Sequence, residues 1–183
     1  SHSLGVYEIV RRMVTEVKSL CVELTEYEKV CVTLAGLLHD VGHGPFSHAF
    51  EHITNHSHEE YTAKIILGNT ELNAILRAVS EKLPQDIVSI IQHTHENDIL
   101  NQIVSGQLDA DRMDYLLRDS YFTATSYGQF DLERILRTIR VRKTAEGRKV
   151  IVVKYTGIHS VEDYIMARYQ MYWQVYYHPV ARS

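Results

Sequence analysis

The sequence predicts a mainly α-helical domain that carries one small β-hairpin, and three patterns support this fold class. A capping box formed by Thr25 and Glu28 begins one helix. Near 139–155, β-branched residues alternate on both sides of a Glu-Gly turn, which is typical of a hairpin. In the N-terminal segment that precedes these two patterns, apolar residues recur at helical spacing, at Leu4, Val6, Ile9, Val10, Met13, Val14 and Val17.

Length and composition are those of an ordinary globular domain. The chain has 183 residues, of which 45% are hydrophobic and 23% are charged, and this is enough for a single core. We find no run of 18 apolar residues and no signal peptide, so we expect no membrane association and a cytoplasmic location. Cys21 and Cys31 are expected to be reduced core residues. The net charge of −4 argues against broad electrostatic binding of nucleic acid.

The helix that follows the capping box leads into a histidine-rich segment. The buried face of this helix is predicted to contain Val30, Leu34, Leu37 and Leu38. His39 and Asp40 come next, and the glycines and proline of the GHGP segment predict that the helix ends there. Adjacent residues of a helix point about 100° apart, so His39 and Asp40 reach a common ion only over the helix end. Imidazole and carboxylate together suit a divalent metal such as Mn, Fe, Ni, Zn or Mg.

The segment QLDADRMDYLLRDS, residues 107–120, predicts a helix with one polar face. That face contains Asp111, Tyr115, Arg118 and Asp119, whereas the apolar residues are Met113, Leu116 and Leu117. Such a face is equally typical of a solvated surface and of a binding site. Spacing alone leaves Asp109, Asp111 and Asp114 open as metal ligands.

The remainder of the chain is expected to continue as loop, helix, hairpin and helix. A loop to Gly128 and a short helix over 131–138 precede the hairpin, whose basic residues favour a solvated face. Residues 160–177 are helical in pattern and unusually aromatic, which is typical of core packing with hydroxyl groups at the rim. His52 and His56, four residues apart, are more typical of a solvated surface than of a second metal site.

Four segments resemble the HD superfamily of metal-dependent phosphohydrolases, and within it the deoxynucleoside triphosphate triphosphohydrolases. They are HSLGV at the start, HDVGHGPFSH, QLDADRMDYLLRD, and the tract from Arg168 to Tyr176. The resemblance covers nearly the whole chain. It implies an HD-domain helical bundle over residues 1–183, and we expect this single domain to be a fragment that lacks N-terminal and C-terminal regions of the full-length protein.

The resemblance implies one divalent metal ion, which is Mn, Mg, Fe, Ni or Zn. The ligands that it implies are His2, His39, Asp40 and Asp111. His43 and His58 are candidates to neutralise phosphate charge or to protonate the leaving oxygen, because histidine titrates near neutral pH. His48 is a third candidate, and Glu51 is a candidate to orient one of these histidines.

The resemblance also implies a set of substrate contacts. Arg112 and Arg168 are expected to hold the triphosphate, since arginine suits phosphate contacts. Tyr115 is expected under the sugar and Tyr176 beside it. Asp119 corresponds to the residue that accepts the 3′-hydroxyl of deoxyribose.

The reaction that the resemblance implies is hydrolysis of deoxynucleoside triphosphates to deoxynucleoside and inorganic triphosphate, by attack of water at the α-phosphorus. The alternatives are another HD phosphohydrolase, either a nucleotidase or a phosphodiesterase, and a non-catalytic nucleotide-sensing protein. The resemblance further implies a nucleotide activator and a homo-oligomer, specifically a tetramer.

Overall fold

A computed structural model describes residues 1–44 and 56–178, and helices dominate this part of the chain, as predicted. The helices are α1 (His2–Glu16), α2 (Lys18–Glu23), α3 (Glu26–Leu38), α4 (His58–Leu67), α5 (Glu71–Val79), α6 (Leu83–Ile91), α7 (Asp98–Ser105), α8 (Ala110–Phe122), α9 (Leu132–Thr138) and α10 (Ile158–Met171). Strands β1 (Ile139–Lys143) and β2 (Lys149–Val153) form the hairpin, and a short 3₁₀ turn (Tyr155–Gly157) leads into α10. The mainly helical fold class with one small hairpin is therefore confirmed.

Helix α1 lies at the centre of the core and packs against both α3 and α8. Its buried residues are Val6, Ile9, Val10, Met13 and Val14, which all belong to the apolar pattern in the sequence. Leu4 belongs to the same pattern but is 64% exposed. Because α1 begins at His2, the packing of its apolar face fixes the start of the helix against α8.

The capping box at the start of α3 is confirmed, but the predicted buried face is partly wrong. Thr25 accepts a hydrogen bond from the Glu28 amide, and the Glu28 carboxylate accepts one from the Thr25 amide. Val30, which was predicted to be buried, is 44% exposed. The residues of α3 that are buried are Cys31, Val32, Ala35, Gly36 and Leu38. A Cβ atom on Gly36 would lie 2.9 Å from Val10 Cγ2. The small residues on this face of α3 therefore allow α1 to pack closely against it.

The hairpin pairs Ile139 with Val153 at one end and Lys143 with Lys149 at the other, in antiparallel register. Gly147 lies in the turn with φ of +81°, a conformation that glycine adopts at little cost. The final helical segment differs from the prediction, because α10 continues as one π-helical stretch over Tyr172–Tyr176. Within 1–44 and 56–178, no helix has both the length and the apolar character needed to cross a membrane.

Candidate metal centre

The four residues predicted to bind the metal meet where α1, α3 and α8 approach each other. His2 begins α1, His39 and Asp40 directly follow α3, and Asp111 lies in the first turn of α8. His2 Nε2 lies 3.0 Å from Asp111 Oδ1 and 3.5 Å from Asp40 Oδ2. His39 Nε2 lies 3.3 Å from Asp40 Oδ1 and 3.5 Å from Asp111 Oδ1. The structure thus brings these four side chains together from three separate segments.

The His39 ring is oriented as a metal ligand would be. Its Nδ1 lies 2.9 Å from the Gly36 carbonyl oxygen, and a carbonyl only accepts, so Nδ1 carries a proton. In the neutral ring, Nε2 then presents its lone pair toward the two carboxylates. This Nε2 atom is buried and has no hydrogen-bond partner among the residues that the structure describes. A divalent ion would bind the lone pair of this Nε2 atom.

The charges at this point also favour a cation. Burial lowers the pKa of His2, but its hydrogen bonds to Asp111 and Asp114 and the charge of Asp40 outweigh burial and raise the pKa to about 9. Burial raises the pKa of Asp111, yet the two imidazoles of His2 and His39 beside its carboxylate leave the pKa well below its ordinary value. Two carboxylates that converge on two imidazoles favour a bound cation. The ligand atoms of His2, His39 and Asp40 lie within 4.8 Å of one another, and so do those of Asp40, His43 and His58. The donor set therefore fits a divalent metal.

The turn after α3 is fixed from below by a buried threonine. Thr62 of α4 donates its hydroxyl proton to the His39 carbonyl oxygen at 3.1 Å and accepts from the Gly42 amide at 3.0 Å. A Cβ atom on Gly42 would lie 2.3 Å from both the His58 carbonyl oxygen and the Thr62 nitrogen. Glycine at this position thus allows α4 to approach the turn closely. Sequence reasoning did not single out Thr62, since a lone threonine within a helix carries no signal of its own.

The three aspartates that spacing left open have distinct positions. Asp111 is the one that faces the Nε2 atoms of His2 and His39. Asp109 is buried and caps α8 by accepting from the Arg112 amide at 2.7 Å, and burial raises its pKa to about 7. Asp114 lies on the other side of His2, where its Oδ2 is 2.7 Å from His2 Nδ1.

A cleft of about 300 Å³ opens above the ligand cluster. His43 and His58 form one side of it, with their rings stacked at a centroid distance of 4.0 Å and an interplanar angle of 13°. His43 Nε2 lies 3.4 Å from Asp40 Oδ1, so this histidine pair borders the ligand cluster directly. Tyr115 also lines the cleft.

The residues predicted to contact the sugar lie beside one another. Tyr176 donates its hydroxyl proton to Asp119 Oδ2 at 2.7 Å, and the rings of Tyr115 and Tyr176 are 6.1 Å apart in an edge-to-face arrangement. The π-helical stretch carries Tyr176, and such stretches occur frequently at functional sites. Arg168, which lies one helical turn before Tyr172, is over the Tyr172 ring at 5.8 Å from its centroid.

Of the predicted substrate contacts, Tyr115 lines the cleft above the ligand cluster, whereas Arg112, Asp119, Arg168 and Tyr176 do not. Arg112 Nη1 donates to the Gly106 carbonyl oxygen and lies 3.1 Å from Asp109 Oδ2. The side chain lines a second cleft, together with Gln102 and Ile151, and does not line the cleft above the ligand cluster. His48, Glu51 and His52 lie outside the described residues.

Two family models match this chain. The model described as HD domain matches residues 1–119, and the model described as HD associated region matches residues 130–183. Among similar proteins, the uncharacterized protein YwfO of Bacillus subtilis is 55% identical over 183 residues, which are 100% of this chain and 41% of the relative.

Two further similarities concern proteins that are named for an activity. The deoxynucleoside triphosphate triphosphohydrolase SAMHD1 homolog of Dictyostelium discoideum is 30% identical, and the match covers 100% of this chain and 37% of that protein. The crystal structure of a phosphohydrolase from Bacteroides thetaiotaomicron has a TM-score of 0.83 and 34% identity, over 99% of this chain and 42% of that one. The chain thus spans less than half the length of the relatives that it matches.

Proposed function

The chain belongs to the HD domain family, and we propose that its full-length protein hydrolyses deoxynucleoside triphosphates to deoxynucleoside and inorganic triphosphate. The observation that carries the proposal is the convergence of His2, His39, Asp40 and Asp111 below a cleft that also contains a stacked histidine pair. The similarity to the Dictyostelium triphosphohydrolase supports the choice of substrate. The similarity to the Bacteroides phosphohydrolase supports the coarser reaction class.

In this proposal the four converging side chains hold one divalent ion, which is Mn, Mg, Fe, Ni or Zn. Such an ion supplies Lewis-acid polarisation of a phosphoryl oxygen and lowers the pKa of a bound water. In the overall reaction, a water oxygen bonds to the α-phosphorus, the bond from that phosphorus to the 5′-oxygen breaks, and the 5′-oxygen takes up a proton. The protein must therefore place a proton donor beside the leaving oxygen.

His43 and His58 are the proposed proton donors. Both line the cleft, and His43 borders Asp40 at 3.4 Å, so a phosphate above the ligand cluster would lie within their reach. A protonated imidazole there neutralises phosphate charge and can pass its proton to the 5′-oxygen. His48 stays a third candidate.

The remaining contacts are assigned by the family resemblance, and among them Tyr115 lines the cleft. Tyr115 would lie under the sugar, with Asp119 and Tyr176 accepting and ordering the 3′-hydroxyl, because these three side chains adjoin one another. Arg168 would hold the triphosphate. Arg112 would bind the triphosphate only if its side chain breaks its contacts with the Gly106 carbonyl oxygen and Asp109.

The test is mass-spectrometric product analysis of the full-length protein with each deoxynucleoside triphosphate and Mn²⁺ or Mg²⁺. We expect deoxynucleoside and intact triphosphate. Replacing His39 and Asp40 with alanine should abolish turnover, a loss of 10³-fold or more being typical, on the order of magnitude, when an essential catalytic group is removed. His159→Ala is the matched control and should leave turnover unchanged. This exposed histidine pairs with Glu162 on α10 and does not belong to the ligand cluster.

Other products would change the assignment in defined ways. Monophosphate or diphosphate would support a different HD phosphohydrolase, either a nucleotidase or a phosphodiesterase. Bound metal without any product would support a nucleotide-sensing protein. Retained turnover in the His39 and Asp40 variants would refute the metal role.

We also propose that the full-length protein is a homo-oligomer, specifically a tetramer, and that a nucleotide activates it. Both points rest on the resemblance of the sequence motifs to the triphosphohydrolases. Sedimentation analysis with and without nucleotide, and assays of nucleotide mixtures against single nucleotides, test these two points. A monomer at assay concentrations, or rates in mixtures that equal the sum of the separate rates, would refute them.

A further inference from the structure

Asp114 holds the first residue of the ligand cluster from the side opposite to the cleft. Its Oδ2 lies 2.7 Å from His2 Nδ1, while His2 Nε2 faces Asp40 and Asp111. A carboxylate that accepts from one ring nitrogen fixes the tautomer and the orientation of the ring, and so directs the other nitrogen. Asp114 is 7% exposed, which keeps water from competing for this hydrogen bond.

Asp114 is itself held by Arg118, one turn further along α8. Arg118 Nε donates to Asp114 Oδ2 at 2.7 Å, and Arg118 Nη2 donates to Asp114 Oδ1 at 2.9 Å. This two-point contact fixes the plane of the carboxylate. The plane in turn determines which way Oδ2 faces, and it faces His2.

Gly5 gives a second and independent indication of this arrangement. It lies three residues after His2 on α1, and a Cβ atom there would come 1.8 Å from Asp114 Oδ1 and 2.5 Å from Arg118 Nη2. The absence of a side chain at Gly5 therefore leaves room on α1 for the Asp114 carboxylate of α8. A side chain at this position would displace Asp114 from His2.

We propose that Asp114 is the positioning residue that orients His2 toward the metal. Arg118 fixes its carboxylate, and Gly5 leaves the space that the carboxylate occupies. The inference rests on the metal role of His2 within the proposed function. Asp114 acts through the His2 ring and contacts neither Asp40 nor Asp111 in the hydrogen bonds and ion pairs described above.

The test measures metal affinity of the full-length protein by titration with Mn²⁺ or Co²⁺ in competition with a chromophoric chelator. Asp114→Asn should weaken binding by about 10- to 100-fold, the usual cost of removing the partner of a ligating histidine. The Co²⁺ absorption bands should change as well, since His2 would ligate with an altered ring orientation. Glu8→Gln is the matched control, because it disrupts an exposed two-point contact with Arg11 on α1 that involves no histidine, and it should leave affinity unchanged.

A double-mutant cycle separates positioning of His2 from a merely structural contact between helices. His2→Ala should weaken metal binding by itself, and adding Asp114→Asn to it should have less than about a 2-fold further effect, because coupled residues are not additive. Full additivity would overturn the inference. Gly5→Ala should also weaken binding, although alanine favours helix over glycine. Wild-type affinity in Asp114→Asn would overturn it too.

The failure of the inference and that of the proposed function are distinguishable. If no deoxynucleoside triphosphate is cleaved but His2→Ala and Asp114→Asn weaken metal binding without additivity, the proposed reaction fails and the role of Asp114 stands. If triphosphate is released and Asp114→Asn binds Mn²⁺ like the Glu8→Gln control, the reaction stands and the role of Asp114 fails.

Discussion

Thr62 shows how much of the candidate site depends on a single hydroxyl group. The side chain is fully buried, and its two hydrogen bonds join α4 to the backbone on either side of Asp40. A buried polar group that loses its partner costs about 1–3 kcal/mol. The geometry of the His39–Gly42 turn, and hence the direction of the Asp40 carboxylate, therefore depends on this contact.

Thr62→Val keeps the shape of the side chain and removes both hydrogen bonds. We expect it to lower the free energy of unfolding by about 1–3 kcal/mol and to weaken Mn²⁺ binding, because the Gly42 amide and the His39 carbonyl lose their partner. Urea unfolding and metal titration are the measurements. Thr62→Ser, which keeps the hydroxyl group, is the control and should bind metal like the wild type. Wild-type metal binding in Thr62→Val would show that the turn holds its shape without Thr62.

At the scale of elements, Glu28 connects two helix starts. Its carboxylate accepts from the Thr25 amide and hydroxyl, both at 2.8 Å, which closes the capping box of α3. It also accepts from the Asn97 side-chain amide at 2.7 Å, and Asn97 is the N-terminal cap of α7. Burial raises the pKa of Glu28, but the hydrogen bonds from Asn97 and Thr25 outweigh it and hold the pKa below its ordinary value of 4.5.

Glu28→Gln should therefore destabilise the protein by about 1 kcal/mol at neutral pH, because glutamine can still accept a hydrogen bond but lacks the charge that strengthens it. A carboxylate with a lowered pKa stabilises the fold above its ordinary pKa, and this contribution is lost as the pH falls through the lowered value. The difference in unfolding free energy between wild type and Glu28→Gln should shrink below pH 4.5. Chemical unfolding at a series of pH values checks this. The control is Glu26→Gln in the same helical turn, since Glu26 is exposed and its carboxylate pairs with Lys29. If Glu26→Gln showed the same pH dependence as Glu28→Gln, the stabilising role assigned to the Glu28 carboxylate would be contradicted.

Elements that depend on local chemistry were predictable, and those that depend on packing were less so. The capping box of α3 and the glycine turn of the hairpin follow from a few neighbouring residues. The buried face of α3 does not, because it follows the small side chains that let α1 approach, and Val30 is left outside. The π-helical stretch over Tyr172–Tyr176 has the same apolar and aromatic pattern as an α-helix, so the sequence has no signal for it.

At the scale of the whole molecule, the ligand cluster is a long-range feature. Helical spacing alone left Asp109, Asp111 and Asp114 equivalent, and the resemblance to the HD superfamily singled out Asp111. The structure distinguishes them by the packing of α8 against α1, in which Asp111 and Asp114 lie beside opposite ring nitrogens of His2. Arg112 contacts near neighbours in sequence, Gly106 and Asp109, but the cleft that it lines is completed by Ile151 of the hairpin, which lies far from it in sequence.

Because α1, α3 and α8 each contribute to the cluster, a bound ion should stabilise the fold as a whole. Binding to the folded state alone adds about 2.7 kcal/mol to the unfolding free energy at an ion concentration 100 times Kd. We therefore expect Mn²⁺ to raise the Tm of the full-length protein and a chelator to reverse the rise. Asp111→Asn should abolish most of the shift, because Asp111 contacts both His2 and His39, whereas Glu8→Gln should retain it. Thermal unfolding of the three proteins with and without Mn²⁺ decides the matter, and an equal shift in the wild type and in Asp111→Asn would place the ion elsewhere.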